Sequence, residues 1–356
     1  MGKVGTEATL RDIWGALGEG KVYLKTIAQQ AKWTPENIVA MKNVSDAGLA
    51  RKYFNIGDQV IVNYTDTSGN VYEMPWDVVH IGDVTLADGS VKKDAVYLQS
   101  HYATVESVQF DKEETEVATE ETAIDGLYYY GYDGTNYTLL SLSAGDTIPY
   151  ASYTKVYHNE IKDASFNILK YGYNRETHSA YRQWLNSDAA KGGWWKAQHV
   201  GDCAPDQAGT INGFLAGLPK EFVDSMSEVK ITQALNTVSE PDKTLTKESY
   251  GAKVFLPHLE QMYISPQAAG VEGEAWDYYK QLAAGAGLTG KFAWYPTTYD
   301  CLKSYALNAK SSAQYVRLAS ASRGYGYGAW YVGSSGYVNG HYYAHDAFRC
   351  RPACVI

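Results

Sequence analysis

The sequence predicts an α+β fold in which short strands outnumber helices. Many short runs of β-branched and aromatic residues are separated by turn residues and long loops, whereas few stretches carry the apolar repeat of a helix. The chain has 31 tyrosines in 356 residues, and 45% of it is hydrophobic. That is ample material for a core, so we expect a globular protein with one large domain or two to three smaller ones.

The chain begins with helical patterns. An apolar repeat at i, i+3, i+4 and i+7 predicts a helix over residues 8–18, and a second helix is predicted over residues 22–31. Pro35 directly after Thr34 marks the start of a third helix, because proline is favoured at the first helical position. We interpret residues 1–52 as a small helical segment that either packs on the body or serves attachment or oligomerisation.

From residue 53 the pattern becomes β. Strands predicted at Gln59–Tyr64 and Val71–Ile81 flank the turn residues 66–70, which indicates a hairpin, and Ala95–Gln99 continues the sheet. An acidic stretch from Glu113 to Glu121 follows and reads as a solvated connector.

The middle of the chain alternates between hairpin and helix signals. Asp133-Gly134 between two aromatic runs predicts a further hairpin. Short helices are predicted over Ser179–Leu185, Pro219–Met226 and Glu274–Leu282, and a strand over Ala252–Leu256. We expect the core to be built around Trp184, Trp194, Leu318, Trp330 and Val332, with Arg349 or Arg351 in buried hydrogen bonds.

The last part of the chain has an unusual composition. From Gly324 to Phe348 it is rich in Tyr, Gly, Ser and His, and Asp346 is the one formal charge between Arg323 and Arg349. Tyr supplies rigid, amphipathic contact area while Gly, Ser and Asn supply adaptable hydrogen bonds, a mixture found in antibody paratopes. A Gly- and Tyr-rich core segment or a low-complexity tail is the alternative. A disordered tail, however, would not end on an apolar strand, as this chain does.

Three C-terminal motifs together resemble a known family. They are a strand at Ala329–Val332, a turn at Ser334–Gly336 and the closing Arg-x-Arg-Pro-Ala-x-x-Ile from Arg349. This pattern resembles the end of a C-type-lectin-like domain family of gut bacteria, their prophages and phages, which is distantly similar to formylglycine-generating enzymes. Further motifs carry the resemblance from about Phe54 to Ile356: Tyr171–Arg175, Arg182–Ser187, Gly213–Leu218 and Lys253–Pro257.

The resemblance implies a C-type lectin fold over residues 53–356, with residues 112–157 as an inserted β module and residues 315–356 as the ligand-binding region. Some phage members of this family are variable proteins of diversity-generating retroelements, in which randomised adenines turn Asn codons into many others. Such codons cannot yield Lys, Glu, Gln or Met, and none of these occurs from Gly324 to Cys350. The match is suggestive of that mechanism.

The candidate ligand-binding residues flank the motifs that the fold holds constant, and we expect them to be exposed. Tyrosines at the centre of such a patch would be its hot spots. The predicted site residues are Tyr325, Tyr327, Gly333, Tyr337, Asn339, His341, Tyr342, Tyr343, His345 and Asp346.

The function predicted from the resemblance is that of a phage or prophage structural protein, a tail or capsid adhesin. It would be made in the bacterial cytoplasm and carried in the virion, where it would bind a host cell-surface protein or glycan and contact other virion proteins. Multivalent attachment favours a homo-oligomer, with a trimer first. The alternatives are a bacterial surface or secreted lectin-like binder and, third, an oxidase of the formylglycine-generating type.

Several other functions are disfavoured by composition and motifs. A net charge of −9 without Lys or Arg clusters argues against nucleic acid, and no apolar stretch is long enough for membrane insertion. We expect no enzyme activity, cofactor or metal. Cys350 and Cys354, placed in one terminal strand, would be about 13 Å apart, too far for a redox pair. A zinc cluster of these cysteines with His341 and His345 matches no usual spacing.

Overall fold

A computed structural model describes residues 35–115, 117–239 and 242–356. Its α-helices are α1 (Pro35–Asp46), α2 (Ala50–Tyr53), α3 (Asn167–Tyr171), α4 (Ala180–Leu185), α5 (Lys220–Ser225) and α6 (Asp277–Gly285). Its strands up to the middle of the chain are β1 (Gln59–Thr65), β2 (Val71–Thr85), β3 (Val91–Ser100), β4 (Val108–Gln109), β5 (Tyr128–Tyr132), β6 (Tyr137–Leu140), β7 (Lys155–Asn159), β8 (Val229–Ala234) and β9 (Lys247–Ala252). The later strands are β10 (Val254–Phe255), β11 (Ser304–Ala306), β12 (Ala309–Gln314), β13 (Val316–Ala321), β14 (Gly328–Val332), β15 (Val338–Tyr343), β16 (Ala347–Cys350) and β17 (Ala353–Val355).

The centre of the fold is a five-stranded antiparallel sheet in the order β1-β2-β3-β17-β10. The last strand of the chain thus pairs with one of the first, with Cys354 opposite Leu98. Ser45 in α1 donates a hydrogen bond to the carbonyl oxygen of Ile356, which fastens the described part of the N-terminal segment to the chain end.

β10, β17, the middle of β2 and the last six residues of β3 are buried on both faces, and their successive residues enter different halves of the core. β1 is buried on one face only. Val78 and Leu98 pack in the half that contains Met41 of α1 and Trp184 of α4. Their chain neighbours Val79 and Tyr97, together with Val355 of β17, pack in the other half. This half contains residues of α6 as well as Leu318, Trp330 and Val332. This alternation follows from the period of two in a β-strand.

Two further sheets complete the fold. The second five-stranded sheet has the order β15-β14-β13-β16-β4, and β13 and β16 are parallel within it. The third sheet has the order β6-β5-β7 and a small core of its own, which includes Tyr129, Ile148 and Val156. Separate hairpins are formed by β8 with β9 and by β11 with β12.

The observed elements confirm an α+β protein made mostly of sheets. The hairpins predicted at residues 59–81 and around Asp133-Gly134 are present, as are the three short helices. Ser179 caps α4 by accepting a hydrogen bond from the backbone N–H of Arg182 at 3.1 Å. The five predicted core residues are buried. Arg351 donates to the backbone carbonyl of Ser100 in a buried hydrogen bond, and Arg349 donates to the carbonyls of Thr104 and Val105 in partly buried ones. The helices predicted over residues 8–18 and 22–31 lie outside the described residues.

Two expectations are wrong in detail. Glu114, in the acidic stretch read as a solvated connector, is only 3% exposed. Cys350 and Cys354 do not share a strand, because Arg351-Pro352 separates β16 from β17 and places the thiols in different sheets. Both cysteines are free and fully buried, and burial raises the pKa of each thiol far above its ordinary value. In the part of the chain that the structure describes, no helix is long and apolar enough to cross a membrane.

Candidate functional site

The candidate surface is built on β14 and on the edge strand β15. β14 is buried along its whole length, and its Trp330 is only 4% exposed. β15 lies at the end of the sheet order, and its last three residues, His341–Tyr343, are exposed. The sheet therefore presents three consecutive side chains of one edge strand to solvent.

Tyr342 and Tyr343 belong to two different aromatic clusters, because neighbouring side chains on a strand point to opposite faces. Tyr343 stacks on Tyr171 of α3, with ring centroids 4.1 Å apart and planes 10° apart. Tyr171 comes from a distant part of the chain and was not among the predicted site residues. The Tyr343 cluster consists of Tyr171, Tyr325, Tyr327, His341, Tyr343 and His345.

The Tyr342 cluster lies on the other face of the strand. The Tyr342 ring contacts Tyr331 at 4.8 Å and Phe348 at 5.2 Å between centroids. The Tyr337 hydroxyl donates to that of Tyr315 at 3.4 Å, and burial together with this contact raises the pKa of Tyr337. The cluster consists of Tyr295, Tyr315, Tyr331, Tyr337, Tyr342 and Phe348.

The ten predicted site residues differ in exposure. Tyr325, Tyr342 and Tyr343 are 42%, 39% and 37% exposed. The half-buried members are Tyr327, Tyr337, Asn339, His345 and Asp346, and His341 is exposed. Gly333 is buried, so its expected exposure is wrong: a Cβ there would lie 2.4 Å from the Tyr337 ring. Whether these residues bind a ligand stays a prediction.

The loop that carries Tyr325 and Tyr327 is held through its main chain by Asn174. Asn174 is fully buried, and its Nδ2 lies 3.1 Å, 2.6 Å and 2.7 Å from the carbonyl oxygens of Ser322, Tyr325 and Gly328. Its backbone N–H donates to the carbonyl of Gly326 at 2.9 Å. These contacts fix the path of the loop without using any of its side chains.

Arg317 holds the strands of the surface in the same way. It is fully buried, and it donates to the carbonyl oxygens of Ala329 at 2.9 Å, Tyr343 at 2.9 Å and Asp346 at 3.1 Å. Its guanidinium lies 4.3 Å from the centroid of the Phe348 ring. Burial lowers the pKa of Arg317 to about 10, so it remains charged at neutral pH. A role of this type was predicted for Arg349 or Arg351 and not for Arg317.

Largely buried ionisable side chains connect the segment after α3 to the β8–β9 hairpin. Arg175 forms ion pairs with Asp242 at 2.7 Å and with Glu248 at 2.8 Å. Glu176, at 1% exposure, has its pKa raised to about 8 by burial, while the Tyr250 hydroxyl and Arg182 oppose this rise. The ion pair with Glu248 joins the segment that contains Asn174 and Arg175 to β9.

A polar groove opens beside α4 and β9. Its volume is about 520 Å³, and its walls include Arg182, Gln183, Asn186, Trp194, Glu228 and Lys253. Cations and an anion face the same space, so the groove suits a polar ligand rather than an apolar one.

The fold and the surface together define a class: an α+β protein with an exposed aromatic sheet edge whose backbone is held by buried polar side chains. The chain belongs to the family described as Domain of unknown function (DUF6273), whose profile matches residues 135–356. The match includes both aromatic clusters as well as Asn174 and Arg317. No curated protein and no solved structure matches the chain.

Proposed function

We propose that the protein is a phage or prophage structural protein, a tail or capsid adhesin, that binds a host-surface protein or glycan through the Tyr343 and Tyr342 clusters. A C-type lectin fold over residues 53–356 is part of this proposal. It rests on the sequence motifs described above and is supported by the pairing of β17 with β3, which joins the two ends of that region in one sheet. The homo-oligomer, with a trimer favoured, belongs to the same proposal.

The proposal depends mainly on one observation: buried side chains hold the main chain of the surface and not its side chains. Asn174 and Arg317 bind carbonyl oxygens of the displaying segments. Every residue has such a carbonyl, so these hydrogen bonds survive when the side chains of Tyr325, Tyr343 or Asp346 change. A surface diversified by a retroelement needs this separation between a fixed backbone and replaceable side chains.

The side chains themselves suit recognition. An exposed tyrosine offers an apolar ring face and a hydroxyl, and it loses little conformational entropy on binding. Contacts between rings already restrict Tyr343 through Tyr171 and Tyr342 through Tyr331. The clusters are therefore partly preorganised, which lowers the entropic cost of binding.

The test measures cell binding by variants of each cluster. Fluorescently labelled protein is incubated with intact cells of a panel of gut bacteria, and affinities are measured on the strains that the parent binds. The double variants are Tyr325→Ser with Tyr343→Ser, and Tyr337→Ser with Tyr342→Ser. We expect at least one of them to lose about 30-fold in affinity, since a hot spot contributes about 2 kcal/mol.

Tyr305→Ser is the matched control, because this tyrosine is 37% exposed on the separate β11–β12 hairpin. It should bind as the parent does, and all variants should melt within a few degrees of the parent. If both double variants bind like Tyr305→Ser, or the parent binds no strain, the proposed surface is wrong. Detection of the protein in purified particles distinguishes the virion adhesin from a bacterial surface or secreted lectin-like binder.

A further inference from the structure

Three buried residues from two distant segments meet beside the third sheet. Glu114 lies in the segment between β4 and β5, and His199 and Asp202 lie in the loop between α4 and α5. They are 3%, 7% and 5% exposed, and one potential ligand atom of each lies within 4.8 Å of the others. His199 Nε2 and Glu114 Oε1 are 3.3 Å apart.

Four polar atoms of these side chains form no hydrogen bond of good geometry among the described residues: Glu114 Oε1 and Oε2, Asp202 Oδ1 and His199 Nε2. The side-chain amide of Asn159 lies near Glu114. The remaining polar atoms are held in place. Asp202 Oδ2 accepts from the backbone N–H of Gln198 at 2.5 Å, and His199 Nδ1 lies 3.1 Å from the carbonyl oxygen of Val200. A carbonyl can only accept, so Nδ1 carries the proton and Nε2 presents a lone pair. An imidazole that ligates a metal is usually oriented in this way.

Protonation alone would not give all of these buried atoms a hydrogen-bond partner. One proton between Glu114 and His199 would supply a single hydrogen bond and leave the other acceptors buried without a partner, which is costly. A divalent cation, in contrast, would bind one oxygen of each carboxylate and His199 Nε2, and it would balance the charge of the two carboxylates. We propose that Glu114, His199 and Asp202 form a binding site for a divalent transition-metal ion, with Zn²⁺ as the preferred ion.

The donor set and its spacing favour zinc. Imidazole nitrogen combined with carboxylate oxygen suits Zn²⁺, whereas Ca²⁺ takes six to eight oxygen ligands and Mg²⁺ keeps several waters. Two ligands at about 2.05 Å from a tetrahedral centre are about 3.3 Å apart. That is the separation between His199 Nε2 and Glu114 Oε1. The three side chains supply three ligand atoms, and a water molecule can take the fourth position of a tetrahedral site.

The two segments that carry the cluster come close together at Gly201. Gly201, between the two loop ligands, has φ +89°, and a Cβ there would lie 2.8 Å from the carbonyl oxygen of His158 and 3.6 Å from Glu114 Oε2. The next residues of the two segments also touch, since Thr115 Oγ1 lies 3.3 Å from Cys203 Sγ. The ion would therefore join the connector that precedes the third sheet to the loop after α4. Its burial indicates a structural role.

The test uses the full-length protein stripped with a chelator and then supplied with Zn²⁺, Co²⁺, Mn²⁺, Ca²⁺ or Mg²⁺ alone. After desalting we expect about one equivalent of zinc per chain, and at a zinc concentration of 100 times Kd a melting temperature about 4 °C higher. Co²⁺ should give the visible absorption of a tetrahedral site. Glu114→Gln and His199→Asn should each weaken zinc binding at least about 10-fold, as loss of a ligand does.

Glu113→Gln is the matched control, because this neighbouring carboxylate is half-exposed and should leave zinc binding unchanged. The site is refuted if the stripped parent takes up no metal, or if Glu114→Gln and His199→Asn bind zinc as the parent does. Tighter binding of Ca²⁺ than of Zn²⁺ would overturn the assignment to a transition metal. The cobalt spectrum and the stoichiometry use the unmodified chain, so a lack of metal uptake refutes the site even if a variant fails to fold.

Discussion

Replacing Arg317 by Met tests whether the aromatic surface depends on this buried cation. Methionine keeps an unbranched apolar stem of similar length but cannot donate hydrogen bonds. The variant would leave the carbonyl oxygens of Ala329, Tyr343 and Asp346 without their shared donor. It would also remove the guanidinium that lies 4.3 Å from the Phe348 ring.

The expected loss of stability can be estimated from these contacts. A hydrogen bond from a charged group contributes about 1.5–3 kcal/mol, so three of them contribute roughly 6 kcal/mol. The cost of burying the cation offsets part of this gain, as the lowering of the pKa of Arg317 to about 10 indicates. We expect the free energy of unfolding to fall by about 3 kcal/mol. In a chain of this size that corresponds to a melting temperature about 4–5 °C lower.

Urea unfolding and amide hydrogen exchange together provide the assay. Exchange should accelerate locally at residues 338–346, which Arg317 joins to β14, before the rest of the sheet is affected. Arg323→Met is the control, because the backbone groups of Arg323 make its contacts with Gln267 and Thr237. If Arg317→Met unfolds and exchanges as Arg323→Met does, the reasoning about the support of the surface is wrong.

Three further predictions concern the core, a buried acid and assembly. Trp330→Ala should lower the free energy of unfolding by about 3–5 kcal/mol, because Trp330 is 4% exposed within β14. The folded state raises the pKa of Glu176 from near 4.5 to about 8, so folding retains a proton that the unfolded chain loses between these values. The contribution of Glu176 to stability should therefore be fully present below pH 4.5 and decline towards pH 8, and Glu176→Gln should remove a decline of up to about 5 kcal/mol. Light scattering of the full chain at micromolar concentration should give a homo-oligomer, with a trimer favoured.

Each of these predictions has an outcome that contradicts it. A Trp330→Ala protein that melts like the parent would mean that this tryptophan is not part of the core. Parallel stability profiles of parent and Glu176→Gln between pH 5 and pH 8 would show that Glu176 does not titrate as expected. A monomer by light scattering would count against the oligomer.

The sequence by itself determined the local elements of this protein. The hairpin at residues 59–81 was predictable because alternating β-branched residues flank a turn, and both signals are local. α4 was predictable from its apolar face, and α5 from the proline that precedes it. Composition likewise indicated that the segment from Gly324 to Phe348 contains exposed tyrosines.

Only the tertiary structure decided which residues act together. Tyr342 and Tyr343 are adjacent in sequence but lie in different clusters, because strand alternation sends them to opposite faces of β15. Tyr171 joins the Tyr343 cluster from the distant helix α3. Arg317, in the buried strand β13, donates hydrogen bonds to backbone carbonyls of both β14 and β15.

The Glu114, His199 and Asp202 cluster shows the same limit. In the sequence Glu114 belongs to an acidic stretch, and acidic stretches are usually solvated, so nothing local distinguishes it from Glu113. Glu114 is buried because the loop between α4 and α5 packs against it, with Gly201 close to its carboxylate. Local propensity depends on neighbours along the chain, whereas a binding site depends on neighbours in space. The sequence therefore determined the strands and helices, and their packing determined the surface and the buried cluster.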